Sequence, residues 1–117
     1  MKASMMLYPV DSIDAALPLF VDGLGLAVKF RDGERYCALD GVSMTVALVA
    51  GEERIVERAA LVFKVDEDDD LYAAMARVVA AGASVRVPVQ QGPHEWRAVL
   101  EDKNGALLVL SQKRANA

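Results

Sequence analysis

The sequence predicts an α+β fold made of two strand–helix–three-strand (βαβββ) modules, and three observations support this. Ile13, Ala16, Leu17, Phe20, Val21 and Leu24 recur at i, i+3, i+4, i+7, i+8 and i+11, the spacing that lines one face of a helix. The same spacing returns at Leu71, Ala74, Met75, Val78, Val79 and Gly82. Each stripe opens on Val-Asp (Val10-Asp11 and Val65-Asp66), follows a short apolar strand, and precedes glycine and three strand-like segments. The two modules, about residues 4–49 and 58–112, form a single domain joined by the polar linker 50–57. A chain built from two such copies is expected to make its binding site from both.

Residues 4–10 (SMMLYPV) read as the first strand, with Asp11 or Ser12 capping the first helix. Pro18 falls inside that helix, where the missing N–H predicts a kink or a split. Gly23 and Gly25 end it. Strands follow at about 26–31, 35–39 and 42–49. Asp32-Gly33 and Asp40-Gly41 are expected to form two-residue hairpin turns between them.

A fifth strand at about 58–65 leads to Asp68-Asp69-Asp70. That run reads as the start of the second helix, where negative charge suits the positive end of the dipole. A hard-cation site would instead need ligands converging from several directions. Gly82 ends the helix. Strands follow at about 84–88, 94–101 and 106–111, with turns at Gln90-Gln91-Gly92-Pro93 and Asp102-Lys103-Asn104-Gly105. A polar tail from Lys113 is expected to fray.

With 117 residues, 54% of them hydrophobic, the chain can bury a compact core and is not a disordered segment. Net charge is −4 and Lys and Arg are scattered, which argues against nucleic-acid binding. The single cysteine, Cys37, excludes an intrachain disulfide and a multi-cysteine zinc site. It reads as a small buried hydrophobe rather than a nucleophile. The N-terminal apolar run is too short for a secretory signal, and no stretch reaches membrane-spanning length. The expected location is therefore cytoplasmic, with no membrane partner.

The ordered set of short motifs resembles the vicinal-oxygen-chelate superfamily of glyoxalases, bleomycin-resistance proteins and dioxygenases. In the first half its carriers are Val10-Asp11, Ala15-Ala16-Leu17-Pro18-Leu19-Phe20 and Gly23-Leu24-Gly25-Leu26. In the second they are Val65-Asp66, Ala81-Gly82-Ala83, and Asp102-Lys103-Asn104-Gly105 before Leu107-Leu108-Val109-Leu110. The family's closing turn is typically Asp-Pro-Asp-Gly-Asn; here Asp-Lys-Asn-Gly keeps the turn chemistry but not the literal motif. The resemblance implies paired mixed sheets forming a cleft between modules. It also implies a homodimer, since family members of this size often complete their clefts across a two-fold axis or by module exchange.

Metal enzymes of that family place two ligands on each module, one on its first strand and one on its last, using residues such as His, Glu or Gln. By register the matching positions here are Met5 and Ala60 on first strands, and Ala47 and Val109 on last strands. A slip of two would substitute Leu7, Thr45, Val62 or Leu107. Neither set offers a hard or borderline ion its ligands, so the reading is a member with no metal and no cofactor. Strand alternation then gives an apolar cleft floor of Met5, Leu7, Thr45, Ala47, Ala60, Val62, Leu107 and Val109. The alanines leave room for a guest, or Met5 and Val109 plug the space; the residues alone leave both open.

The remaining ligand candidates are Phe30, Tyr36, His94, Trp96 and Arg97. Trp96 beside Arg97 could form a platform for a planar or cationic group, or Trp96 could cap the second core. By alternation Trp96 shares a face with Ala98 and Leu100, which makes Arg97 the better cleft residue. Tyr36 matches Arg97 in the repeat. Phe30 could stack on a ligand or fill a subunit contact. His94 could act as acid or base, or sit in a surface loop.

The leading expectation is a non-catalytic small-molecule binding protein that sequesters an aromatic or amphipathic ligand, as bleomycin-type antibiotic resistance proteins do. Its rival is an enzyme of the same fold (a lyase, isomerase or dioxygenase-like protein) acting on a small carbonyl or aromatic substrate through His94 or Arg97. A third class is a regulatory domain whose cleft serves assembly.

Overall fold

A computed structural model describes residues 1–114. Its contacts divide the chain into two compact units, Met5–Ala59 and the chain from Ala60 onward together with Met1–Ser4. Each is a mixed α+β module, and both are built in the same order.

The first unit contains Met5–Pro9 of β1 (Lys2–Pro9), helix α1 (Ile13–Leu17), and strands β2 (Ala27–Asp32), β3 (Tyr36–Asp40) and β4 (Thr45–Val49). Its strand order is β2-β3-β4-β1, with β1 and β4 parallel and the other pairs antiparallel. Ser12 caps α1, its Oγ accepting from the Ala15 amide at 3.2 Å. Pro18 cannot donate the next helical bond. The chain meets this by widening into a π-helical turn over Pro18–Gly23, in which the Leu24 amide donates to the Leu19 carbonyl at 2.9 Å. The split expected at Pro18 is thus a change of winding. Ile13 and Phe20 pack beneath it on Cys37, Leu39 and Leu48, whereas Leu24, expected on the same stripe, is exposed.

The second unit contains β5 (Ala60–Lys64), α2 (Leu71–Ala80), β6 (Ser84–Gln91), β7 (Glu95–Glu101) and β8 (Leu107–Lys113). Its order is β5-β8-β7-β6, with β5 and β8 parallel. The acidic run starts α2 as expected. Asp70 is the N-cap, accepting from the Tyr72 and Ala73 amides at 2.8 and 3.4 Å. Asp69 reaches forward to Arg77 at 2.9 Å, and that hydrogen bond holds its carboxyl below the usual carboxylate range. Gln112 ties β8 to the helix entry by donating to the Asp66 and Asp69 carbonyls. Leu71, Ala74 and Met75 bury the helix stripe on Ala98, Leu100 and Leu110, while Val79 stays exposed.

Three expected turns differ from the structure. Neither Asp-Gly pair forms a two-residue hairpin, because each Asp remains in its strand. Asp32 pairs with Tyr36 and leaves a three-residue loop, 33–35, in which Gly33 takes φ 57°. Asp40 pairs with Thr45, and its carboxylate accepts from the Val42 amide at 2.8 Å across the longer loop 41–44. Gln90 and Gln91 belong to β6, paired with Arg97 and Trp96, so the turn there is only 92–94. The linker is less polar in effect than in composition: Ala50 and Val56 are buried on either side of a single 3-10 turn at Gly51–Glu53.

The loop 41–44 holds one strained residue. Val42 sits at φ 70°, bracketed by a Ser43 amide that donates to the Gly41 carbonyl at 2.8 Å. A β-branched side chain is disfavoured there, and Val42 is 95% exposed, so no packing offsets the strain. Gly41 is fixed beside it, since a Cβ there would lie 2.5 Å from the Met44 carbonyl oxygen. Val42→Gly is therefore expected to stabilise the fold by about 1 kcal/mol, strain relief exceeding the added freedom of the unfolded chain. Chemical denaturation would check this; an unchanged or lower midpoint would contradict it.

Candidate functional site

Alternation along the strands gives each sheet two faces. One packs under the helix. In the first unit it carries Cys37, Leu39, Val46 and Leu48, with Tyr8 set edge-on to Phe20 at 5.0 Å. In the second unit it carries Phe63, Ala98, Leu100, Leu108 and Leu110. The opposite, helix-free face holds most of the expected ligand residues.

In the first unit the helix-free face is built of three cross-strand rows. Met5, Thr45 and Asp40 form one, Leu7, Ala47, Ala38 and Phe30 the next, and Pro9, Val49, Tyr36 and Asp32 the third. Leu7, Ala38, Ala47 and Val49 are buried, whereas Phe30 is 59% exposed beside Tyr36, their ring centroids 6.2 Å apart. A register shift between Val28 and Phe30 brings Lys29 onto this side, where its Nζ donates to Thr45 Oγ1 at 2.9 Å. The sequence gives no local signal for such a bulge.

The second unit repeats the pattern. Ala60, Leu107 and Glu101 form one row, Val62, Val109, Val99 and Val87 the next, and Lys64, Ser111, Arg97 and Gln90 the third. Ala60, Val62, Leu107, Val109 and Val99 are all buried. Arg97 donates from Nη1 to Glu95 Oε1 at 3.3 Å, and its side chain is only 15% exposed. Glu95 folds over Gly92, where a Cβ would come within 2.5 Å of Oε1. Lys64, Gln90 and Ser111 were not among the expected site residues. The repeat could have found the first and last: Lys64 precedes Val65-Asp66 as Pro9 precedes Val10-Asp11, and Ser111 follows Val109 as Val49 follows Ala47.

The structure brings Met5, Leu7, Thr45, Ala47, Phe30 and Tyr36 together on one face, and Ala60, Val109 and Arg97 together on another. Trp96 is not with them. It pairs with Gln112 and Gln91 on the helix side of its sheet, and Arg114 lies over its ring at 5.9 Å. Arg114 Nη1 also donates to the Gly92 and Pro93 carbonyls at 3.0 and 3.1 Å, so this stack fastens the 92–94 turn. His94 is exposed in that turn, its carbonyl accepting from the Arg114 amide.

The positions where the resemblance implies metal ligands do not fit an ion. Met5 and Ala47 lie one diagonal step apart on β1 and β4, as do Ala60 and Val109 on β5 and β8. Only Met5 carries a lone pair, on a thioether suited to soft cations rather than to the usual divalent ions. At the slipped register, Thr45 Oγ1 already accepts from the Lys29 ammonium, which would repel a second cation.

Residues 2–110 match the profile of the Glyoxalase/Bleomycin resistance protein/Dioxygenase superfamily. A protein of Mycolicibacterium smegmatis, called only an uncharacterized protein, is 31% identical over 108 residues, covering 92% of this chain and 90% of that one. A superfamily member from Vibrio splendidus superposes with a TM-score of 0.69 at 18% identity, over 93% of this chain and 97% of that chain. Methylmalonyl-CoA epimerase from Mycobacterium tuberculosis superposes with a TM-score of 0.68 at 17% identity, over 98% and 89%. At these identities the superpositions establish the fold.

Cys37 faces helix α1 at 0% exposure, and burial pushes its thiol pKa up against a smaller opposing pull from Arg31. Its thiolate is therefore scarce near neutral pH. In the folded protein Cys37 should react with an aromatic disulfide reagent at least about tenfold more slowly than in urea. Equal rates would contradict its placement.

Proposed function

Because this chain belongs to the Glyoxalase/Bleomycin resistance protein/Dioxygenase superfamily, yet carries hydrocarbon and thioether side chains at the implied ligand positions, we propose that it binds a small aromatic or amphipathic molecule without a metal. The ligand is held by dispersion and desolvation on the helix-free strand faces and is sequestered rather than transformed. The observation that carries this reading is the side-chain set Met5, Ala47, Ala60 and Val109, hydrocarbon and thioether groups where the chelate chemistry would need lone pairs. Met5 is the one of the four not buried, and the exposed part of these faces is Phe30 and its neighbours.

The polar groups lie in the rows on either side of the apolar middle one, among them Lys29 with Thr45 in the first unit and Arg97 with Glu95 in the second, and the Phe30–Tyr36 aromatic pair adds ring surface. Apolar lining with a few orienting polar groups is the usual composition of a small-molecule site. Phe30 is the exposed aromatic on such a face and supplies a flat surface for stacking.

Methyl-labelled protein titrated with a panel of small aromatic and acyl compounds tests the proposal by NMR. Saturable shifts are expected at Met5, Ala47, Ala60, Val62 and Val109 methyls with no metal added. Phe30→Ala should weaken the aromatic compounds roughly three- to tenfold, the scale of one lost ring contact. Shifts that appear only when a divalent ion is added would overturn the proposal, as would the absence of shifts on these strands across the panel.

A further inference from the structure

The two modules share one frame, so corresponding rows can be compared residue by residue. Val10 N–H donates to the Val49 carbonyl and Val65 N–H to the Ser111 carbonyl, which aligns Pro9 with Lys64 and Val49 with Ser111. Across the sheets, Tyr36 then aligns with Arg97 and Asp32 with Gln90. The first unit builds this row as Pro9, Val49, Tyr36 and Asp32. The second builds it as Lys64, Ser111, Arg97 and Gln90. We propose that this second row is an oxyanion subsite, so that the ligand of the second unit's helix-free face carries a carboxylate or phosphate head on a compact apolar body. The inference rests on the proposed function for where the ligand sits, and adds its charge.

Every side chain in the row ends in an N–H or O–H donor and none is anionic. Neighbouring strands lie about 4.8 Å apart, which sets consecutive members of the row side by side on one face. Arg97 and Ser111 are direct partners across β7 and β8. A guanidinium beside a hydroxyl can hold one oxyanion through a planar fork and a third donor. Lys64 and Gln90 flank them and are exposed, so the row opens to solvent, while Ser111 is 9% exposed and Arg97 little more. Partial dehydration strengthens a charge pair formed there.

Charge points the same way. Beyond the row, Glu95 pairs in register with Lys113. These two rows together hold Lys64, Arg97 and Lys113 against the single carboxylate of Glu95, on a chain whose net charge is −4. Glu95 lies over Gly92 at the strand end with its Oε1 accepting from Arg97 Nη1 at 3.3 Å, so an incoming oxyanion shares the guanidinium with it. On the other side of the donor row lie Val62, Val109, Val99 and Val87, an apolar row four strands wide in which Val87, at the outer strand, is the one member not buried. Cationic donors bordering a hydrocarbon strip match an amphiphile with a negative head.

Folding does not require these donors. The same place in the first unit is filled by Val49 and Tyr36, Val49 fully packed. An arginine and a serine where tyrosine and valine suffice are polar chemistry added to the frame.

Four matched probes test the assignment by calorimetry: 2-naphthylacetate, 2-naphthyl phosphate, 2-naphthaleneethanol and 2-naphthylethylammonium. One or both anions are expected to bind at least about tenfold tighter than the alcohol, and the ammonium weakest. Whichever anion leads identifies the head group. Arg97→Gln and Lys64→Met should each reduce the anion preference, and Arg97→Tyr with Ser111→Val, the first unit's own residues, should bring it to within about twofold. Thermal melts of the variants establish that they fold, and the exposed Lys64→Met serves if the buried pair does not. Equal affinity for all four probes, or an anion preference that survives in Lys64→Met and Arg97→Gln alike, would overturn the oxyanion subsite while leaving apolar binding intact. Binding of none of the probes to the wild-type chain would overturn both.

Discussion

The parallel pairing of the first and last strand in each module is the constraint on which the remaining structure depends. Met5–Pro9 run alongside Thr45–Val49, and Ala60–Lys64 alongside Leu107–Ser111, residue against residue. A slip of one residue in either ladder would turn every side chain to the opposite face. Leu48, Leu108 and Leu110 would leave their helices, and Ala47, Ala60 and Val109 would move beneath them. The helices enforce the observed register: Ile13 and Phe20 close over Leu39 and Leu48, and Leu71, Ala74 and Met75 close over Leu100 and Leu110. Register in turn decides the chemistry of the helix-free faces.

Those faces have been filled differently in the two copies. In the first, Phe30 and Tyr36 offer aromatic surface and Lys29 reaches Thr45. In the second, four valines border a row of donors headed by Arg97. At the positions that would hold a divalent ion both copies carry apolar or thioether groups. On the proposed reading, shape, dispersion and a few charges carry the binding and orientation of the ligand.

Much of this was legible in the sequence, for definite reasons. The helix stripes announce themselves through spacing, and the repeated Val-Asp marks where each module's first strand gives way to its helix. Alternation from those anchors assigned Met5, Ala47, Ala60 and Val109 to one kind of face and Leu48, Phe63 and Leu108 to the other, as the structure has them. What sequence could not give depends on non-local geometry. The Asp-Gly pairs looked like tight turns, but cross-strand partners keep Asp32 and Asp40 in their strands. The bulge that brings Lys29 to Thr45 has no composition signature. Trp96 stands beside Arg97 in the chain, yet its cationic neighbour in space is Arg114, from the end of another strand. Lys64 and Ser111 were accessible through the repeat, because their counterparts Pro9 and Val49 occupy matching registers.

The metal content of the purified chain tests the central claim most directly. Protein prepared without chelators would be analysed for Mn, Fe, Ni and Zn, then titrated calorimetrically with each divalent ion. The hydrocarbon lining predicts far less than one ion per chain and no saturable one-to-one uptake. A stoichiometric ion that survives dialysis and is lost on substituting Met5 or Thr45 would contradict it.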